Sequence, residues 1–228
     1  MKSFFRTVLD YDPEQEHLVA SITRIAKASG KARILDVGCG YGRNLRRLID
    51  AGFDAIGVEV NEEIVAANRT NGLPCMSVAE FNSATSTFDI LVLSHVVEHF
   101  APNDLLPFID GYLDRLAPGG HLVIATPLVS PYFYVDFDHV KPYLPQGILS
   151  VFGVGQSQVQ YYSRNKLALE DVWFRKSYPR FTLVRSKYVK TPFTKVLSAL
   201  EVGSAAVAWL SRGTIGQVDG WVGVFKKV

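Results

Sequence analysis

The sequence is poor in cysteine and has no long uninterrupted apolar run. Only two cysteines, Cys39 and Cys75, occur among 228 residues, so they make no disulfide framework and a reducing, cytoplasmic compartment is expected. The first ten residues lack an apolar core of the length that a signal peptide needs. The longest apolar region, residues 196–210, is interrupted by two serines and Glu201, so we expect no transmembrane segment and a soluble protein.

The chain also lacks internal repeats and a second glycine-rich turn. Its length and its 48% hydrophobic content are enough to bury a full core. We therefore expect one domain over residues 1–228, in which residues 1–30 form an N-terminal helical segment ahead of the first strand.

Net charge is small, at +2, but it is unevenly distributed. Residues 1–159 carry 12 Lys and Arg against 18 Asp and Glu, and residues 160–228 carry 12 against 4. The acidic first part argues against a nucleic-acid partner. The basic tail is either a solvated surface or a border of the acceptor site that attracts the phosphate of a nucleotide-linked sugar, a lipid-linked glycan or a membrane surface. The basic residues concerned are Arg164, Arg175, Lys176, Arg180, Arg185, Lys187 and Lys190.

Residues 32–45 are typical of a buried strand that runs into a glycine-rich turn and then a helix. Gly38, Gly40 and Gly42 let the backbone turn tightly and approach a ligand where a Cβ would collide. Asp36 stands at the carboxyl end of the strand, where open α/β sheets bind ligands. The pattern predicts a cofactor cradle.

The spacing and charge of this turn indicate which cofactor it holds. Dinucleotide folds space their glycines as G-x-G-x-x-G around a pyrophosphate, whereas the spacing here is G-x-G-x-G. The Asp36 carboxylate would repel a pyrophosphate but suits a ligand with an ammonium and a sulfonium. Glu59 ends the next apolar run, where an acid accepts both ribose hydroxyls. Since Glu59 alone fits NAD equally well, a nicotinamide oxidoreductase is the competing hypothesis.

Four segments in order resemble the motifs of class I S-adenosylmethionine-dependent methyltransferases of the type 11/12 kind. They are residues 36–42, followed by the acid Glu59, then residues 88–94, 95–99 and 116–125. The resemblance implies an α/β, Rossmann-like, doubly wound sheet of seven mostly parallel strands with an antiparallel last strand. It also implies S-adenosylmethionine as cofactor, held by Asp36, Gly38, Cys39, Gly40, Glu59, Val60, Ala79, Glu80 and Ser94.

Methyl transfer to a hydroxyl needs a base that removes the proton of the acceptor. His139, in the loop after the fifth strand, is the first choice, with Asp136 or Asp138 orienting its ring. His95, directly after the fourth strand, is a further catalytic candidate.

A metal is the alternative to a simple histidine base. Glu98, His99 and His139 match positions that bind a divalent ion in the similar small-RNA 3′-end and quinone-pathway O-methyltransferases. His95 replaces an acid of that set, which would weaken binding of a hard ion such as magnesium. We favour the interpretation in which Glu98 and His99 pack and hydrogen-bond beneath the acceptor pocket.

The acceptor is less well defined than the cofactor. Residues 138–143 resemble the acceptor region of polysaccharide and surface-glycan methyltransferases, which implies O-methylation of a sugar or another small hydroxylated metabolite. We expect the sixth strand at residues 157–162 rather than 181–188, and the last at residues 221–225. Residues 165–213 would then be an insertion forming part of the acceptor site, with Trp173 and Phe174 in its wall. A non-catalytic regulatory protein that binds S-adenosylmethionine is the remaining alternative, and the oligomeric state is left open.

Overall fold

A seven-stranded sheet is the centre of the protein. The computed structural model describes residues 12–30, 32–130, 133–155, 157–178, 188–211 and 214–228. The strands in chain order are β1 Arg33–Val37, β2 Asp54–Glu59, β3 Cys75–Ser77, β4 Phe88–Ser94, β5 Leu116–Pro127, β6 Leu167–Ser177 and β7 Gln217–Lys227.

The order across the sheet is β3-β2-β1-β4-β5-β7-β6. Strand β7 runs antiparallel to both of its neighbours, and the pairings among β1 to β5 are parallel. The predicted fold class is therefore confirmed. The sheet order reverses beside β1, so the carboxyl ends of β1 and β4 border the crevice in which such folds bind ligands.

Helices alternate with the strands. They are α1 Pro13–Ser29, α2 Arg43–Asp50, α3 Glu62–Thr70, α4 Val78–Ser83, α5 Pro102–Leu113, α6 Pro145–Phe152 and α7 Pro192–Leu210. Several are preceded by an N-cap residue whose side chain accepts a hydrogen bond from a free backbone N–H group of the first turn. Asp12 caps α1 and Asn61 caps α3, while Ser77 and Glu80 form a capping box on α4. The N-terminal segment is thus helical as predicted, although its first eleven residues lie outside the described part.

The core lies on both faces of the sheet because successive side chains of a strand point to opposite faces. Leu35 and Leu91 belong to one apolar cluster, and Ile34 and Ile90 belong to the other. Trp221 is fully buried in the first cluster, where its indole N–H donates to the Tyr143 carbonyl at 2.7 Å. This bond connects β7 to the segment that precedes α6.

The prediction for the sixth strand was wrong. It spans Leu167–Ser177, not residues 157–162, which form no regular element. Because β6 is the edge strand of the sheet, beside β7, its side chains are mostly half-buried and its apolar alternation is weak. The alternative at residues 181–188 lies almost wholly outside the described residues. Most of the first part of the predicted insertion is therefore a strand of the sheet, and the last strand, Gln217–Lys227, is longer than expected.

Helix α7 is also longer than the sequence suggested. It begins at Pro192, and its 19 residues make it a candidate membrane span by length and composition. The expectation that this region is too short to cross a bilayer therefore underestimated the length of the helix. Such a helix is weak evidence by itself, because core helices of soluble proteins meet the same criteria.

Candidate active site

The predicted cradle is formed by the turn between β1 and α2. Gly38, Gly40 and Gly42 all have positive φ, at 66°, 52° and 74°. A Cβ on Gly38 would lie 2.8 Å from the Val96 side chain, and one on Gly42 would lie 2.4 Å from Leu73. A Cβ on Gly40 would meet nothing within 4 Å. Two of the glycines are thus required by packing, whereas Gly40 leaves an open space beside the backbone that a ligand can approach.

Asp36 is buried in the cradle, with 1% of its surface exposed. Burial raises the pKa of its carboxyl to about 7; a hydrogen bond from the Leu45 backbone offsets this only partly, and the charge of Glu59 adds to it. Its Oδ2 has no hydrogen-bond partner among the described residues. A buried carboxylate oxygen without a partner is costly, so Asp36 fits a cationic ligand that would pair with it.

Glu59 holds the loop in place. Its Oε2 accepts from the Gly40 N–H at 3.0 Å, and its Oε1 accepts from the N–H groups of Val60 and Asn61 at 2.9 and 3.1 Å. A carboxylate has about four acceptor positions, so one on Oε2 remains beyond these hydrogen bonds; the part of Glu59 in ribose binding stays a prediction. The side chain of Val60 itself is 79% exposed.

Asn68 is a loop-supporting residue that the motifs did not indicate. It is buried, and its amide donates to the Gly40 carbonyl at 2.7 Å. Cys39 and Cys75 are both free thiols, with sulfur atoms 3.6 Å apart. Burial, followed by the charge of Asp36, raises the pKa of Cys39 above its ordinary value. Cys39 therefore fills space beside the cradle rather than serving as a nucleophile.

The predicted adenine contacts lie at the start of α4, since β3 ends at Ser77. Glu80 accepts from the Ser77 N–H at 2.8 Å and pairs with Arg69. These hydrogen bonds, that of Ser77 first, lower the pKa of Glu80. The part of Ala79 and Glu80 in adenine binding stays a prediction.

His95 is enclosed by acids. Its Nε2 lies 2.6 Å from Glu14 at the start of α1, and its Nδ1 lies 3.2 Å from Glu98 Oε1. Burial alone would lower the pKa of His95, but hydrogen bonding to Glu14 and then to Glu98 outweighs it and raises the pKa to about 9. His95 is therefore protonated at neutral pH, which argues against the base role that its position after the fourth strand suggested. It also has a left-handed φ of 58°, a conformation found at strained functional positions.

Glu14 was not predicted, because nothing local in the sequence connects it to the site. Its second oxygen accepts from Arg175 at 2.9 Å, and Arg175 also pairs with Asp219 at 2.8 Å. Arg175 is thus an internal ion-pair partner rather than a free phosphate-binding residue. Trp173, expected in an acceptor wall, stacks on His17 at 4.7 Å and packs against the second core cluster.

Glu98, His99 and His139 converge, as the metal hypothesis requires. Each offers a ligand atom within 4.8 Å of the others. Glu98 is fully buried; its Oε2 accepts from the Thr126 hydroxyl at 2.9 Å, and its Oε1 lies 3.2 Å from His95 Nδ1. Burial would raise the pKa of Glu98, but His95 overrides this and lowers it. The cluster therefore presents an anionic oxygen and two imidazoles, which suit a transition metal such as zinc.

The ring of His139 is oriented by a backbone carbonyl. Its Nδ1 lies 2.7 Å from the Phe133 carbonyl, so Nδ1 carries the proton and Nε2 presents its lone pair. The carboxylate nearest to Nε2 belongs to Asp136, at 3.7 Å. Asp138, which was predicted to orient the ring or assist catalysis, instead accepts from His99 Nδ1 through its backbone carbonyl. The orienting role assigned to Asp138 is therefore taken by Phe133.

A cavity of about 590 Å³ lies between the N-terminal half of α5, helix α6 and residues 159–161. The backbone N–H of Lys141, one of its lining residues, donates to the Glu98 carbonyl at 3.1 Å. The cavity therefore adjoins the segments that carry the histidines. Its lining is mainly apolar and includes Leu105, Leu106, Pro142, Ile148, Val151 and Phe152.

The sheet order and the glycine cradle with its buried acid define a class, the Rossmann-like S-adenosylmethionine-dependent methyltransferases. Solved structures agree on the fold. A SAM-dependent methyltransferase from Archaeoglobus fulgidus superposes with a TM-score of 0.56 at 20% identity, over 99% of both chains. N-methyltransferase NodS from Bradyrhizobium japonicum WM9, solved with S-adenosylhomocysteine, gives 0.56 at 15% identity, over 96% of this chain and 90% of that one.

The family follows from the sequence match. Residues 11–177 match the model of a methyltransferase domain family, so the chain belongs to that family. A ubiquinone biosynthesis O-methyltransferase from Chelativorans sp. is 31% identical over 111 residues, which are 45% of this chain and 43% of that protein. The match thus spans less than half the length of this curated relative.

Proposed function

We propose that this methyltransferase methylates a hydroxyl group on a small acceptor, with His139 as the base. The observation that carries the proposal is the His139 ring, whose Nδ1 is held by Phe133 so that Nε2 is left to accept a proton. The name of the O-methyltransferase relative supports an oxygen acceptor. Buried Asp36, beside the open space at Gly40, supports a cofactor that carries positive charge.

Different residues of the chain would bind the cofactor and accept the proton of the acceptor. S-adenosylmethionine supplies an electrophilic methyl group when bound. Asp36 pairs with its ammonium, and Glu59 and Asn68 hold the loop against it. His139 Nε2 takes the hydroxyl proton, and the carbonyl of Phe133 stabilises the resulting imidazolium through Nδ1–H. Aligning acceptor and donor supplies most of the rate enhancement in such a displacement.

We infer the chemical class of the acceptor from the apolar cavity, which adjoins the segments that carry the histidines. Its lining favours a hydroxylated aromatic or other partly apolar compound over a free sugar, because a sugar would leave its hydroxyls unpaired against apolar side chains. The sugar or glycan acceptor implied by residues 138–143, with or without a phosphate, becomes the second substrate class in the test.

Metal assistance is the second candidate mechanism. Glu98 is fully buried, and it offers a ligand atom that lies, with those of the two imidazoles, within 4.8 Å of the others. Glu98, His99 and His139 would hold the ion, which would lower the pKa of an acceptor hydroxyl bound to it. His139 would then be a ligand rather than the base.

The experiment is a methyl-transfer assay with radiolabelled S-adenosylmethionine. Purified protein is offered hydroxylated aromatics and nucleotide sugars, each before and after chelation and with zinc, manganese or magnesium restored. Transfer to an aromatic hydroxyl supports the proposal, and transfer only to nitrogen or to no hydroxyl contradicts it. Activity that chelation abolishes and one metal restores selects the metal-assisted mechanism.

A further inference from the structure

Helix α7 lies at the same edge of the sheet as the cofactor cradle. It belongs to the connection between β6 and β7, and the residues that flank this connection, Ser177 and Gln217, pair with each other. Further along β7, Gly220 pairs with Pro127, at the end of β5. The segment that carries α7 therefore leaves the sheet where the parallel strands end.

The helix makes little contact with the rest of the protein. Only Thr194, Ala205 and Ala208 are buried along its length, and 22% of its apolar stretch is inside the fold. These three residues lie on one side of the helix. The helix is thus attached along a narrow line of small side chains and presents its other side outward.

The outward side is apolar and uncharged. Its large side chains recur at intervals of three, four and seven residues, with Gly203 in the remaining position of the row, and form a stripe about 26 Å long at 1.5 Å per residue. Apolar stripes of this size are unusual on a protein that stays free in water. The stripe consists of Phe193, Val196, Leu200, Val207 and Leu210, which are 62%, 54%, 52%, 50% and 72% exposed.

The sequence around the stripe is strongly basic. Residues 172–200 contain seven Lys and Arg and no Asp or Glu. Arg175 and Lys176 are held inside the fold, by Glu14 and by the Thr214 carbonyl. Lys195 is exposed on the helix itself. An apolar stripe flanked by basic residues is typical of a helix that lies in the plane of an anionic bilayer surface.

We propose that α7 docks the protein on an anionic lipid surface, with the stripe among the acyl chains and the exposed Lys195 at the headgroups. A second copy of the chain fits the stripe less well, since pairing two such helices would bring two basic segments together. A spanning orientation is disfavoured because the other side of the helix already packs on the protein. Taken with the proposed function, docking would place the site's edge near a lipid-soluble acceptor.

Vesicle flotation tests this inference. The full chain is mixed with vesicles of phosphatidylcholine alone or of phosphatidylcholine with phosphatidylglycerol. We expect binding to the anionic vesicles only, weakened by high salt. Leu200→Glu should lower the partition coefficient at least about tenfold, because a charge replaces an inserted apolar side chain. The matched control is Val154→Glu, since Val154 is 68% exposed and lies outside the stripe; it should change binding less than about twofold.

The other outcomes overturn the inference. They are no binding to either vesicle, equal binding of Leu200→Glu and the unaltered chain, or a dimer in sedimentation velocity that Leu200→Glu dissociates without any vesicle binding. Circular dichroism checks folding, and Leu210→Ser at the exposed end replaces Leu200→Glu if that variant unfolds. Methyl transfer to a soluble acceptor is measured separately, so loss of docking and failure of the proposed function give different results.

Discussion

Cofactor affinity should depend on pH through Asp36. Burial raises the pKa of this carboxyl to about 7 in the cofactor-free protein. A cation bound beside it favours the ionised form, so binding releases a proton whenever Asp36 begins protonated. Affinity should therefore fall as the pH is lowered through 7.

The magnitude follows from the ionised fraction. With a pKa of about 7, Asp36 is about nine-tenths ionised at pH 8 and about one-tenth ionised at pH 6. The dissociation constant of S-adenosylhomocysteine, which retains the ammonium, should thus be about tenfold higher at pH 6 than at pH 8. This corresponds to about 1.4 kcal/mol.

Isothermal titration calorimetry measures both the affinity and the proton release, the latter from runs in buffers of different ionisation enthalpy. Methylthioadenosine is the matched ligand, because it keeps the nucleoside and lacks the ammonium; its affinity should vary little with pH. Asp36→Asn should bind S-adenosylhomocysteine weakly at every pH. The role given to Asp36 would be refuted if the affinity for S-adenosylhomocysteine did not change between pH 6 and pH 8. It would also be refuted if the affinity for methylthioadenosine changed with pH by the same factor.

Four further outcomes are expected. Replacing Asp36 by Asn should stabilise the cofactor-free protein at pH 8 by on the order of 2–4 kcal/mol in urea unfolding; a carboxyl with a raised folded pKa favours folding only when protonated, so the gain should vanish below pH 4. His139→Ala should lower kcat by about 10²-fold or more and leave S-adenosylhomocysteine affinity unchanged. Gly40→Ala should weaken cofactor binding, measured by calorimetry, while Gly30→Ala, with a similar positive φ and open surroundings, should affect only stability. Glu14→Gln should destabilise the fold by about 3 kcal/mol in urea unfolding, because it removes the buried carboxylate that pairs with both Arg175 and His95.

The local motifs were sufficient to predict the cradle and the succession of the first five strands along the chain. A strand, a tight glycine turn and a helix start are specified within a few residues of one another, and buried parallel strands are continuous apolar runs. Asp36, Glu59 and the three glycines could therefore be placed from their neighbours in the chain. The antiparallel last strand came with the resemblance to the family, and the sheet confirms it.

Contacts across long stretches of chain were decided only by the tertiary structure. Glu14 meets His95 across 81 residues and Arg175 across 161, and no local pattern records such pairs. They change the chemistry of His95 from a candidate base to a charged group. The edge strand β6 was not predicted for a related reason. The burial of its side chains depends on the neighbouring strand in the sheet, so its sequence shows no regular alternation of apolar residues. Sequence fixes local backbone geometry, whereas the charge state of a buried side chain depends on whatever the fold packs against it.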